Sequence, residues 1–358
     1  MFEDINLILV IGGAVLGLLF GVVMQRSRLC LVAAVANWVL IRDWRQLHGY
    51  LAAVCVALIG TLVLELGGWV AVAESAYRTP SLDWLNRVLG GIAFGFGSVL
   101  AGGCASRTLV RSAQGNLGAM IALMGFALAA MAALFGALQP VRGYLGGVSV
   151  ELAGGDGAVA TQLGLPLWAP SLALAATGLG LLFIGRSRDH GLLLGGALVG
   201  LLVAGGWWLT GYLAVDEFDP RAPVSISVSG PLARASLTLV SPSHPDLAFG
   251  VPLAAGMLLG ALVSAVVSRE FHWIAPQPEQ VGPNLLGGLM MGAGAIFAGG
   301  CNIGNSMTGV STAAVGPLLA TAAIFAGMLL GLAWVSRRER LRDSGPQRSV
   351  AFAHSEKS

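Results

Sequence analysis

The stretch Gly90-Gly91-Ile92-Ala93-Phe94-Gly95-Phe96-Gly97-Ser98-Val99-Leu100-Ala101-Gly102-Gly103-Cys104 has a second copy, Gly287-Gly288-Leu289-Met290-Met291-Gly292-Ala293-Gly294-Ala295-Ile296-Phe297-Ala298-Gly299-Gly300-Cys301. Eight of the fifteen positions are identical, and most others exchange one apolar residue for another. Each copy ends on a cysteine and is followed at once by polar residues inside an otherwise apolar region. A duplicated, glycine-spaced apolar stretch that stops at a thiol predicts a membrane protein with two half-sites facing one another, and makes the thiols its chemistry.

Composition points the same way. Of 358 residues, 56% are hydrophobic and 11% charged, with 52 glycines; a soluble domain carries roughly 25% charged residues. A helix needs about 20 mostly apolar residues to cross a bilayer. Runs of that kind are Ile5–Met24, Leu47–Leu66, Leu117–Leu138, Ser171–Gly185, Leu192–Val215, Leu247–Val267 and Gly316–Trp334, besides the two cysteine segments. Glycine at this frequency suits close helix–helix approach. The start, Met1-Phe2-Glu3-Asp4, lacks the basic region of a secretory signal, so the first run is expected to persist as a helix. Cys30, Cys55, Cys104 and Cys301 all lie in or beside apolar segments, unlike a disulfide framework or a zinc site.

Basic clusters set the sidedness. Arg26-Ser27-Arg28, Arg42 to Arg45, Arg186-Ser187-Arg188, Arg269 and Arg337 to Arg342 are expected on the cytoplasmic face, and the weakly charged loops 68–86, 138–170 and 216–245 outside. Leu29–Ile41, between two basic clusters, is too short to cross and reads as re-entrant. Threading the runs gives an all-α polytopic protein of about nine crossings, N-terminus outside and C-terminus cytoplasmic. The repeated motif then enters from opposite faces in its two copies, an inverted plan frequent in transporters. One transmembrane domain is expected over residues 1–336, with halves at about 5–138 and 171–336, followed by a polar, disordered cytoplasmic tail at 337–358.

Glycine pairs before Cys104 and Cys301 suit a helix break, which frees backbone N–H groups and starts a new half-helix whose N-terminus favours an anion. The followers carry Ser106, Arg107 and Arg111 after Cys104 and Asn302 after Cys301. Arg107 and Arg111 fall on one helix face, where they either draw an anion inward or sit at the interface. A thiol is a weak donor and a soft, polarizable atom, better matched to an anion with charge on sulfur than to sulfate or phosphate. Cys55, among alanines and valines, reads as packing; Cys30 is intermediate on pattern. No histidine pair has metal-ligand spacing, no phosphate-binding loop appears, and Glu65 is nearly alone among acidic residues within the apolar runs. No cofactor and no nucleic-acid partner are expected.

Gln25-Arg26-Ser27-Arg28-Leu29-Cys30, Ala101-Gly102-Gly103-Cys104 and Ala298-Gly299-Gly300-Cys301-Asn302-Ile303-Gly304 together resemble the YeeE/YedE family of bacterial inner-membrane proteins, which includes thiosulfate importers. The likeness runs from about residue 10 to 335. It implies inverted halves and a narrow path lined by Cys30, Cys104 and Cys301, along which thiosulfate passes by successive S–H hydrogen bonds to sulfur. It also implies a small cytoplasmic TusA-type sulfurtransferase as a partner. Thiosulfate-importer members tend to carry glycine where this chain has Arg107. The function expected is transport of a sulfur-containing anion across the lipid bilayer, not catalysis. Other sulfur or selenium species are the alternative cargo, and a membrane sulfurtransferase working through a cysteine persulfide is the alternative activity.

Overall fold

The computed structural model describes residues 2–183, 189–215, 221–240 and 249–343. Helices account for most of it: α1 (Phe2–Ser27), α2 (Leu31–Ile41), α3 (Arg45–Leu66), α4 (Trp84–Leu100), α5 (Ala105–Ala113), α6 (Leu117–Phe135), α7 (Gln139–Gly146), α8 (Val159–Leu163), α9 (Trp168–Leu182), α10 (His190–Trp208), α11 (Ser229–Val240), α12 (Gly250–Val267), α13 (Pro278–Phe297) and α14 (Val315–Asp343). Residues 302–312, between α13 and α14, form a further half-helix of mixed π and 3-10 character. Among the described residues, seven helical spans are long and apolar enough to cross a membrane. The chain is an all-α, multi-pass membrane protein.

The glycine spacing of the repeated motif follows from two different neighbours. Its first and eighth positions bring α4 and α13 together. A methyl on Gly90 would lie 2.7 Å from the Gly294 carbonyl oxygen, and one on Gly97 would lie 2.7 Å from that of Gly287. The reciprocal distances from Gly294 to Gly90 and from Gly287 to Gly97 are 2.6 Å. The second and sixth positions face flanking helices: Gly91 and Gly95 meet α14 at the Ala320 and Ile324 carbonyls, and Gly288 and Gly292 meet α6 at Ala122 and Phe126. Each copy is therefore a two-sided seam, which demands small residues on two stripes of one helix.

The remaining helices pair in the same manner. α1 packs along α12 as α10 packs along α3, and α13 lies on α6 as α14 lies on α4. Two expectations need adjustment. Residues 229–240, read from sequence as part of an outer loop, form α11, which packs on α6 and α12; Pro231 stands in its first turn, where a missing N–H costs nothing. α14 also continues past residue 336 to Asp343. Arg186 to Arg188 and the tail from residue 344 lie outside the described residues.

One ion pair closes the end of the 302–312 half-helix. The Arg78 guanidinium pairs with Glu65 and donates from Nε (3.0 Å) and Nη2 (2.8 Å) to the Thr312 carbonyl, with its side chain 2% exposed. Removing one partner of such a pair strands a buried charge. Glu65→Ala is expected to lower stability by about 3–5 kcal/mol, read as a fall in the unfolding midpoint of the detergent-purified protein.

Candidate functional site

Each copy of Ala-Gly-Gly-Cys is a helix stop followed by a helix start. At the end of α4, Gly103 N–H donates to Ser98 (2.9 Å) and Gly102 N–H to Val99 (3.1 Å), with Gly102 at φ +68°. At the end of α13, Gly300 donates to Ala295 (2.8 Å) and Gly299 to Ile296 (3.2 Å), with Gly299 at φ +79°. This paired bonding satisfies the last carbonyls and needs a left-handed residue, which glycine supplies without a Cβ clash. The cysteine comes next. The Cys104 carbonyl accepts from Thr108 N–H (2.8 Å) and that of Cys301 from Asn305 N–H (2.7 Å), so each is the residue from which the next half-helix begins.

Cys30 occupies the same position at a third break. Its carbonyl accepts from Ala34 N–H (2.9 Å) at the start of α2, and the left-handed residue ending α1 is Arg28, φ +52°. All three cysteines thus stand at half-helix N-termini, where unsatisfied N–H groups and the helix dipole favour negative charge.

The thiols share one continuous core. Cys30 Sγ lies 3.9 Å from Cys104 Sγ, and Cys104 Sγ lies 3.4 Å from Ser106 Oγ. Cys30 is 6% exposed, and Cys104 and Cys301 are both 0% exposed. All four cysteines are free thiols. Cys301 N–H donates to Ser229 Oγ (3.2 Å) at the start of α11. Cys55 is elsewhere, its thiol donating to the Ala175 carbonyl (3.6 Å) between α3 and α9.

The polar followers separate into two kinds. Arg111 Nη1 donates to the Gly102 carbonyl (3.0 Å) and so braces the break before Cys104. Buried polar atoms without an internal hydrogen bond include Arg107 Nη1, Asn302 Oδ1 and Ser306 Oγ, all in the segments that follow Cys104 and Cys301. A buried polar atom left open is costly unless something binds it. Among the described residues, no three His, Cys, Asp or Glu side chains converge to hold a metal ion.

A cavity of about 730 Å³ reaches Gly299 and Gly300, the residues just before Cys301. Its wall carries Arg142, Arg221 and Arg234 together with Ser225, Ser227 and Ser229. Cations at the wall and hydroxyl donors around the approach to a half-helix N-terminus make an anion the matching occupant. A second cavity, between α1 and α10, touches none of the cysteines.

With this geometry in view, a family model described as "Sulphur transport" matches residues 26–330. The chain belongs to the sulphur transport (YeeE/YedE) family. Two relatives are each named thiosulfate transporter TsuA. That of Spirochaeta thermophila is 31% identical over 345 residues, covering 90% of this chain and 98% of the relative. That of Escherichia coli K12 is 28% identical over 323 residues, covering 84% and 87%. A probable transporter YedE of Salmonella typhimurium is 29% identical over 104 residues, 28% of this chain and 23% of its own length.

In this member of the sulphur transport family, sequence reasoning missed two residues at the thiols. Tyr50, 5% exposed, donates its hydroxyl to the carbonyl of Asn302 (3.3 Å), next to Cys301. It lies in the apolar run Leu47–Leu66, and a tyrosine among alanines and valines was the only signal. Ser229 was hidden in a stretch read as loop.

Proposed function

We propose that this protein carries a sulfur-containing anion, thiosulfate foremost, across a bacterial inner membrane along Cys301, Cys104 and Cys30. The observation that carries this reading is the placement of three free thiols at three half-helix N-termini, two of them in contact. A thiol offers a soft S–H donor and a helix start offers partial positive charge, so each station suits an anion with charge on sulfur and none grips it tightly. The basic-walled cavity before Cys301 serves as the mouth. Names of full-length relatives as thiosulfate transporters support the cargo.

The matched pairing of α1 with α12 and α10 with α3, and of α13 with α6 and α14 with α4, supports two halves of inverted topology. On that arrangement the chain makes about nine crossings, begins outside and ends in the cytoplasm, with the cavity mouth outward and Arg28 inward. A TusA-type sulfurtransferase as receiver of the delivered sulfur is carried over from the family resemblance alone.

Mass spectrometry of the purified protein after incubation with thiosulfate separates transport from sulfurtransfer. Hydrogen-bonded passage leaves all four cysteines unmodified; a persulfide on Cys30, Cys104 or Cys301 would replace the transporter with a sulfurtransferase. Arg107, largely buried beside this route with Nη1 unpaired, is assigned to anion affinity. Arg107→Gly is expected to raise the KM for thiosulfate uptake about tenfold with little change in maximal rate, the low end of a charged hydrogen bond. Initial uptake rates over a concentration series check this.

A further inference from the structure

The polar cluster at the C-terminal end of α1 belongs neither to the line of thiols nor to the cavity. Gln25, 1% exposed, accepts from Ser264 Oγ through its amide oxygen (2.6 Å) and donates from Nε2 to Glu270 Oε2 (2.8 Å). Arg28 Nη2 donates to Glu270 Oε1 (2.8 Å), and Gln114 Nε2 approaches Oε2 at 3.4 Å. One carboxylate therefore gathers donors from the end of α1 and the end of α5 while standing just past α12.

Those donors sit at the ends of elements that bear the cysteines. Arg28 is the left-handed residue of the break two positions before Cys30, a conformation an arginine adopts against its preference. Gln114 ends α5, the half-helix that starts from Cys104. The chain after Glu270 is also tied to that end by backbone bonds, His272 N–H to Gln114 (3.1 Å) and Ile274 N–H to Gly115 (3.1 Å). Glu270 itself is fixed by its N–H bond to Ala265 (2.8 Å), with Arg269 in the left-handed region at φ +57°. At the other cysteine half-helix, Arg78, held by Glu65 near the end of α3, donates to the Thr312 carbonyl in a comparable way.

We propose that Glu270 is a positioning residue that clamps the break before Cys30 to the far end of the Cys104 half-helix, holding the two thiols at their 3.9 Å separation. The Arg28–Glu270 pair is open to solvent, with side chains 61% and 35% exposed. As a lone ion pair it contributes little; its effect comes from the donors that converge on one carboxylate. Its consequence for uptake rests on the transport reading, whereas the geometry does not.

The test is the rate at which diamide closes a Cys30–Cys104 disulfide in the full-length Cys55→Ala protein in detergent, read by peptide mass spectrometry. Two thiols give up their hydrogens and the azo reagent becomes the hydrazine, so no anion is needed. Glu270→Ala is expected to slow closure about tenfold, because misplacing reacting groups by an ångström is costly. Glu270→Gln, which keeps the shape and loses the charge, should slow it less. The exchange Arg28→Glu with Glu270→Arg, which rebuilds the ion pair but offers the Gln25 and Gln114 amides no carboxylate, should restore little of the rate. Unfolding midpoints of the same variants, unchanged from the parent, separate the clamp from a general loss of stability. Closure by Glu270→Gln and Glu270→Ala as fast as the parent, or faster, overturns the proposal. Slowed closure in a protein that carries no thiosulfate would leave the clamp standing and remove the transport reading.

Discussion

Cys104→Ala is expected to cut thiosulfate uptake about 10- to 150-fold, because a hydrogen bond to a charged group contributes roughly 1.5–3 kcal/mol and 1.4 kcal/mol is tenfold. Cys104 contacts the Cys30 thiol at 3.9 Å and the Ser106 hydroxyl at 3.4 Å while fully buried. The substitution removes one atom and leaves the Gly102 turn and the first bond of α5 in place, so the amount of folded protein should not change. Cys104→Ser should fall between the two, since its hydroxyl still donates but is a harder atom than sulfur. Cys55→Ala, remote from the path, should transport normally. Uptake of labelled thiosulfate by cells expressing matched amounts of each variant checks the series.

Gly292→Ala is expected to destabilise the fold by about 3 kcal/mol or more, at or beyond the usual range for overpacking. A methyl at this position would sit 2.1 Å from the Phe126 carbonyl oxygen and 2.9 Å from its carbon, so backbone rather than a flexible side chain would have to move. Its counterpart Gly95, with Ile324 oxygen at 2.1 Å, should behave alike. Gly143→Ala and Gly282→Ala are the controls, since nothing lies within 4 Å of either added methyl. Thermal unfolding in detergent should separate the pairs, with the controls within about 0.5 kcal/mol of the parent.

The membrane class, the glycine spacing and the paired Cys104 and Cys301 leave a compositional trace, whereas Cys30 entered only through the family resemblance. Low charge, long apolar runs and a duplicated Gly-Gly-Cys survive in a one-dimensional reading. The break before Cys30 left no such trace, because its left-handed residue is Arg28 rather than glycine. Arg107 and Arg111 look equivalent at helical spacing, yet only Arg111 is occupied with the Gly102 carbonyl, a distinction set by the turn between α4 and α5. α11 was missed because serine, glycine and proline at residues 229–231 carry a loop's composition, while packing on α6 and α12 decides for helix. Nothing in the residues around Glu270 marks it out in the sequence. Its role depends on Gln25, Arg28 and Gln114, which are more than 150 residues away in sequence.

Uptake of radiolabelled thiosulfate by liposomes containing only the purified protein tests the central claim most directly. Accumulation above protein-free liposomes is expected, suppressed by excess unlabelled thiosulfate, little affected by sulfate, and lost in the Cys104→Ala protein. Absence of uptake by the folded parent protein, or equal uptake by parent and Cys104→Ala, would contradict it.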